Sequence, residues 1–442
     1  MRVLGQVLAS ALLIVPSIAL ASTAAFAGPT VVGIPVEFIL FAAVLLGVAL
    51  FHHHTFPIAA GGALLIALYK ILFSPFKSGA GWSGFATHLA HEWVILVNLL
   101  LLLLGFALLA KHFEDTRIPN ALPRILPDDW KGCFVLLVIV FVLSSFLDNI
   151  AAALIGGAMA HTVFRAKVHI GYLAAIVAAS NAGGAGSVIG DTTTTMMWIA
   201  GIGPLEVMEA AVGAAVALVI FGIPASLQQQ RYAPIQRHAD VGVVIDWARV
   251  GVVAFILIAA VIVNITVNTR FNELADLFPF LGAAVWVALL LATIVRRPDW
   301  QLLPGALKGS LFLLSLVLAA SMMPVDQLPL ASWTTALGLG FLSSVFDNIP
   351  LTALAIRQGG YDWGFLAYAV GFGGSMIWFG SSAGVALSSM YPEARSVGRW
   401  LRHGWHVALA YVIGFVVMLA IIGWHPGSTP RANAPVGVEK VK

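Results

Sequence analysis

The chain of 442 residues is 60% hydrophobic and 10% charged, against about 45–50% apolar and about 25% charged in an ordinary soluble domain. With a mean hydropathy of +0.96, this excludes a soluble enzyme, a disordered protein and a fibrous one, and it puts most of the chain in lipid. The formal net charge of +3 forms no basic patch, which excludes a nucleic-acid partner.

At the N-terminus, Arg2 precedes an apolar stretch to Leu20, and Ala25-Phe26-Ala27 is an A-x-A cleavage site. Residues 1–27 read as a signal peptide, the alternative being an uncleaved first helix. Either way residue 28 emerges outside. Apolar runs follow at 31–50, 57–73, 92–110, 133–163, 169–201, 206–226, 250–267, 280–295, 302–320, 330–356, 362–390 and 404–424. A span needs about 20 residues. The runs 133–163 and 330–356 are long for one span, short for two, and polar in the middle, so each reads as a re-entrant hairpin. Irregular backbone at membrane depth survives only when buried in protein or lining a wet cavity. His52-His53-His54, in a turn before Pro57 with no acidic or Cys neighbour, reads as a solvated loop. The lone Cys133 reads as packing. Trp82, Trp93, Trp198, Trp378, Trp400, Trp405 and Trp424 lie near span ends, as interfacial belts do.

With both hairpins re-entrant, Lys111, Arg117, Arg124, Lys131, Arg165, Lys167, Arg231, Arg237, Arg249, Arg296, Arg297, Lys308, Arg395, Arg399 and Arg402 share one face. That is 15 of the 23 basic residues, and the rich face is cytoplasmic by the positive-inside rule. Lys70, Lys77, Arg270 and Arg357 fall on the other face, so no Lys or Arg is expected mid-membrane.

The sequence also repeats. Ser144-Ser145-Phe146-Leu147-Asp148-Asn149-Ile150 matches Ser343-Ser344-Val345-Phe346-Asp347-Asn348-Ile349 at five of seven positions. Downstream, Gly183-Gly184 and Gly190-Asp191-Thr192 match Gly373-Gly374 and Gly380-Ser381-Ser382 at equal intervals. The expected fold is an all-α polytopic membrane protein of two inverted repeats, 28–226 and 250–424. Each repeat has five spans and one re-entrant hairpin, with broken helices at the midplane. A polar cytoplasmic linker, 227–249, joins the repeats, and the Pro/Gly/Ala-rich tail 425–442 reads as disordered. Inverted repeats with interrupted helices are a transporter signature.

Three carboxylates, Asp148, Asp191 and Asp347, fall at the expected membrane depth. Each costs several kcal/mol there unless paired, solvated or protonated. All three also suit helix N-caps, and a cap sits where a helix breaks, so capping and ion binding are compatible. Desolvation raises a carboxylate's pKa and a nearby cation lowers it. A buried Asp therefore holds a proton or a hard cation in competition, the minimum chemistry for exchange. Oxygen donors suit a hard cation: the Asn149 and Asn348 amides, Thr and Ser hydroxyls, and carbonyls unwound at the glycine pairs. Carboxylates at both hairpin tips would repel an anionic substrate. No Walker motif is present, and no nucleophile–base pair suggests an enzyme.

The block Asn181-Ala-Gly-Gly-Ala-Gly-Ser-Val-Ile-Gly-Asp191-Thr-Thr-Thr-Thr-Met-Met-Trp198 resembles the signature of NhaD-type sodium/proton antiporters. Ser344-Val-Phe-Asp347-Asn348-Ile-Pro350 and Gly373-Gly-Ser375-Met-Ile-Trp-Phe-Gly380-Ser-Ser-Ala-Gly384 resemble its second-half signatures. This family lies within the superfamily of citrate/dicarboxylate and arsenite carriers. The resemblance runs over nearly all of the chain after residue 31. It implies a scaffold part and a transport part, exchange of sodium or lithium for protons without a cofactor, and ion-pathway roles for Asp148, Asp191 and Asp347. In the family a Thr-rich stretch follows the first Asp-Asn; here Ile150-Ala151-Ala152-Ala153 supplies no hydroxyl. The candidate ion-binding set is Asp148, Asn149, Asn181, Asp191, Thr192, Thr193, Asp347, Asn348, Ser381 and Ser382, with the transported sodium on the three aspartates. The expected partners are membrane lipid, small cations and protons, in the bacterial inner membrane, and family analogy adds a homodimer. The rivals are a sodium-coupled citrate or dicarboxylate symporter, another anion carrier of the superfamily, and a non-transporting membrane scaffold or sensor.

Overall fold

Several helices in this chain begin at a short polar side chain that caps them, as at Asp129, Asp148, Asp191, Asp347 and Ser381. The computed structural model describes residues 28–51, 54–77, 79–121, 126–235, 244–271, 274 and 277–430. The expected signal peptide, His52, His53 and the tail from 431 lie outside the described residues. A two-stranded hairpin, β1 (Thr30–Val31) and β2 (Ile34–Pro35), leads into α1 (Val36–Leu50), a small departure from an all-α chain. The helices α2 (Thr55–Phe73) and α3 (Gly81–Glu114) follow. Next come α4 (Trp130–Ser144), α5 (Asn149–Val163), α6 (Ile170–Ala185), α7 (Thr192–Ile199) and α8 (Ala210–Tyr232). The second half contains α9 (Trp247–Arg270), α10 (Phe280–Ala292), α11 (Leu303–Ser321), α12 (Trp333–Ser343), α13 (Asn348–Gln358), α14 (Trp363–Gly373), α15 (Ser382–Met390) and α16 (Trp405–Ile421).

The chain is an all-α polytopic membrane protein. Among the described residues five helices are long and apolar enough to cross a membrane: α2, α3, α8 with its lead-in from Pro204, α9, and α11 with its lead-in from Trp300. A sixth is added if Val397–His403 and α16, bent by 61° at Gly404, count as one. The helices α1, α4, α5, α6 and α10 are shorter apolar segments.

The segments 133–163 and 330–356 both break at the repeated Ser-Ser-x-x-Asp. Asp148 caps α5 by accepting from Ile150 N, and Asp347 caps α13 by accepting from Ile349 N. The cap dihedrals are nearly identical, φ −53° and ψ 141° at Asp148 against φ −54° and ψ 141° at Asp347. A capping carboxylate satisfies a backbone N–H that the helix leaves free. Asp191 caps α7 and Ser381 caps α15 in the same extended conformation.

Packing repeats between the halves as well. The helix α4 lies on α6 as α12 lies on α14, and α5 packs against α15 as α13 packs against α7. The helices α6 and α14 meet at the centre, and α8 meets α16. Every residue of α14, and every residue of α6 after Ile170, is buried. A separate apolar cluster joins α3, α9 and α10 through Leu102, Ile256, Val285 and Leu289.

The glycine pairs act differently from expectation. Gly183 and Gly184 lie inside α6 and Gly373 ends α14, all helical, while Gly374 only begins a 3-10 turn. A side chain on Gly183 would strike the Phe141 carbonyl of α4, and one on Gly373 would strike the Gly340 carbonyl of α12. The pairs thus permit close helix crossing, the packing role of small residues in membrane helices. Ser144 Oγ donates to the Ser180 carbonyl across the first crossing, and Ser343 Oγ donates to the Val370 carbonyl across the second. The chain leaves helix later, at 186–191 and 377–381.

The start of the tail is anchored. His425 N donates to Asp362 Oδ2 at 2.8 Å, and Ser428 N donates to Glu206 Oε2 at 2.8 Å. At the opposite end, Lys111, Asp115, Arg249, Asp246 and Arg296 form a chain of ion pairs from α3 through the start of α9 to residues just past α10. Hydrogen bonds from Arg296 hold the Asp246 carboxyl below the usual carboxylate range.

Candidate functional site

The break between α6 and α7 places Asp191 against α5, α13 and α14, and the residue is 2% exposed. Oδ1 accepts from Asn149 Nδ2 at 3.3 Å and from Thr193 N at 3.4 Å. Oδ2 accepts from Thr193 Oγ1 at 2.7 Å and from Asn348 Nδ2 at 3.4 Å. The two amides are equivalent residues in the sequence repeat, the first of α5 and of α13, so both helices reach one carboxylate. Asn149 Nδ2 also donates to Asn181 Oδ1 at 3.0 Å. Asn181 Nδ2 in turn donates to Ser375 Oγ at 2.9 Å and Ser381 Oγ at 3.0 Å, which ties α6 to the second half.

Asp148 and Asp347, which directly precede Asn149 and Asn348, are half-buried. Asp347 Oδ2 accepts from Ser382 Oγ at 3.1 Å. Among the described residues no Lys, Arg or His forms an ion pair with any of the three. Nor do three His, Cys, Asp or Glu side chains converge closely enough to hold a metal ion. The donor set is therefore mixed: one buried carboxylate, three amides and several hydroxyls, with two further carboxylates beside it. Hard cations favour such oxygen donors.

The expected residues assemble unevenly. Asn149, Asn181, Asp191, Thr193, Asn348 and Ser381 form one connected network, Asp347 and Ser382 form a pair, and Thr192 is half-buried at the start of α7. Hydroxyls reach Asp191 from α7 and not from α5, where Ile150-Ala151-Ala152-Ala153 has none.

The interfacial-belt reading is corrected at three tryptophans. Trp198, Trp378 and Trp400 are buried, at 2%, 7% and 1% exposure, and so lie in the core and not in an interfacial belt. Trp400 Nε1 donates to the Ser375 carbonyl at 3.2 Å and so supports a residue that holds Asn181. Ser375 itself, fully buried, lies within the second-half signature but is absent from the expected ion-binding set. Lys70 is buried and Arg357 half-buried, paired with Glu37 and Glu92. The three aspartates are thus not the only acidic groups enclosed by the helices. Their partners are distant in sequence, and no local spacing signals them.

Comparison with known proteins points the same way. No family model matches the chain. Sodium/proton antiporter 1 of Arabidopsis thaliana is 28% identical over 330 residues, 65% of this chain and 53% of the relative. The Na(+)/H(+) antiporter NhaD of Halomonas elongata is 26% identical over 345 residues, 64% of this chain and 66% of its own length. That of Vibrio cholerae is 25% identical over 396 residues, 75% of this chain and 80% of its own length.

In sequence the chain is similar to sodium/proton antiporters, the NhaD proteins among them.

The match spans about half the length of the Arabidopsis relative. The solved YdaH transporter of Alcanivorax borkumensis aligns at 13% identity with a TM-score of 0.40, covering 89% of this chain and 100% of that chain, a likeness too weak to assign an architecture. The Arabidopsis, Halomonas and Vibrio relatives bear the names of sodium/proton antiporters.

Proposed function

We propose that the chain is a secondary antiporter of the bacterial inner membrane that exchanges sodium or lithium for protons at Asp191. The observation that carries this reading is a buried carboxylate held by amides from both hairpins, with no cationic side chain paired to it among the described residues. Such a group is costly when charged and unpaired; a proton or a small cation relieves the cost, and each excludes the other. The N–H groups of Asn149 and Asn348 hydrogen-bond the carboxylate. Rotation of either amide would turn its Oδ1 toward a cation, and Thr193 and Ser381 supply further oxygens. Asp148 and Asp347, beside the site, would raise its negative potential and attract the entering ion.

The reading includes two inverted repeats, 28–226 and 250–424, with the hairpins 133–163 and 330–356 re-entering from opposite faces. The matched caps, the matched helix crossings and the exchange of partners between α5–α15 and α13–α7 support it. The names of the relatives support the cargo.

Everted vesicles give the test. Sodium or lithium added to vesicles holding a respiration-made pH gradient should dissipate it. No response across pH 7–10 with folded protein present would overturn the proposal. Sodium-dependent uptake of citrate or succinate in its place would identify a symporter.

A further inference from the structure

A second group of buried charges lies away from Asp191. Glu92 of α3 is 3% exposed and forms an ion pair with Arg357, in the last turn of α13, whose side chain is 16% exposed. The helix α13 is short and begins at the site, with Asp347 as its cap and Asn348 as its first residue. At 1.5 Å rise per residue, Arg357 stands about 15 Å along the axis from Asp347. An eleven-residue helix of this kind moves as a rigid unit, so what holds Arg357 sets where Asn348 meets Asp191.

The helix α3 contributes no residue to the site, and α11 packs against both α3 and α13. A second polar link holds α11 in place: His88 Nε2, one turn before Glu92, is 2.9 Å from Ser321 Oγ at the end of α11. Ring contacts join His88 to a second buried ion pair. The Phe76 ring lies 5.5 Å from the His88 ring and 5.1 Å beneath Lys70 Nζ, and Lys70 Nζ is 3.8 Å from Glu37 Oε1. The first hairpin has no such tie, because the residue matching Arg357 by the Asp148–Asp347 alignment is Ala158. A buried ion pair is a poor source of stability, since desolvation offsets its attraction, and its best-attested use is to specify one arrangement over others.

We propose that Glu92 and Arg357 form a latch that positions α13, and through it Asp347 and Asn348, and so sets the sodium affinity of the site. Both are positioning residues, and the proposal rests on the antiporter reading for its cargo. The test compares wild type, Glu92→Gln, Arg357→Gln, the double variant E92Q/R357Q and the charge swap E92R/R357E in everted vesicles. The half-saturating sodium concentration and the maximal rate are measured together, with amide hydrogen exchange on the same proteins. Each single variant should raise half-saturation about tenfold, the usual scale of coupling between sites, with a smaller change in maximal rate. The swap should restore most of that loss.

The double variant leaves no uncompensated charge, so it folds where a single variant fails. It should also raise half-saturation and speed amide exchange over 348–358, while leaving 149–163 unchanged. Wild-type half-saturation in the folded double variant overturns the latch. If wild type itself moves no protons, the antiporter reading falls, and hydrogen exchange alone decides: unaltered exchange over 348–358 then overturns the latch.

Discussion

The two halves of the molecule share a framework and divide the chemistry. Where the first half places Asp191 at the start of α7, the second places Ser381 at the start of α15. Asn181 in α6 has Gly371 as its counterpart in α14, and Ala185 has Ser375. Asp and Asn recur at the starts of α5 and α13. The first half thus supplies the enclosed charge and the Thr193 hydroxyl on it, and the second supplies the Asn348 amide and, through Asn181, the hydroxyls of Ser375 and Ser381. A second buried carboxylate at position 381 would face the first with no cation between them, and like charges at close range cannot both ionise cheaply. The division of roles avoids that cost.

The largest effect should come from removing the one unshared charge. Asp191→Asn is expected to abolish sodium-driven proton flux in everted vesicles while leaving expression and detergent-solubilised stability intact. Retained exchange would place the essential charge elsewhere in the pair of halves. The hairpin amides come next. Asn149→Ala removes donors to both Asn181 and Asp191, whereas Asn348→Ala removes one donor to Asp191. Since a hydrogen bond to a charged group contributes about 1.5–3 kcal/mol, both should shift the half-saturating sodium concentration, Asn149→Ala by more. Equal shifts would indicate that Asn181 does not depend on Asn149.

The glycine crossings test the shared framework. Gly183→Ala and Gly373→Ala each force a methyl group against a carbonyl of the neighbouring helix. Each should cost about 1–3 kcal/mol, read as a lower unfolding temperature in detergent. Similar losses would bear on equal crossings, and a loss at one position alone would break the parallel between halves. The smallest effect is expected at the charged end of the molecule. The Asp246 carboxyl is depressed by Arg296, so the contribution of that contact is present above the ordinary carboxylate pKa and lost as pH falls through the depressed one. The unfolding temperatures of wild type and Asp246→Asn should differ slightly at pH 7 and converge on acidification below about pH 4.

Much of this was legible before any coordinates. Composition alone makes the chain a membrane protein, since 10% charged residues cannot coat a soluble surface of this size. Local repetition locates the two breaks, because Ser-Ser-x-x-Asp is both a poor helix interior and a good cap, and the interval from Gly-Gly to Gly190 or Gly380 marks the second pair of breaks. These are short-range properties, decided by residues within a turn of one another.

What a residue touches across the molecule is a different matter. That Asn149 and Asn348 reach the same carboxylate depends on α5 and α13 packing against the opposite half's α15 and α7, which no single repeat encodes. The glycine pairs look like unwinding sites in sequence and prove to be crossing points, because only the neighbouring helix reveals the carbonyl that a side chain would strike. Ser375 and Trp400 join the site through hydrogen bonds to partners far away in the chain. Glu92 and Arg357 are separated by 264 intervening residues, and each alone reads as an ordinary charge near a helix end. Sequence by itself determined where the helices break and which residues stand at the breaks. Only the tertiary structure decided which of those ends meet, because burial and pairing belong to the packed assembly and not to the local chain.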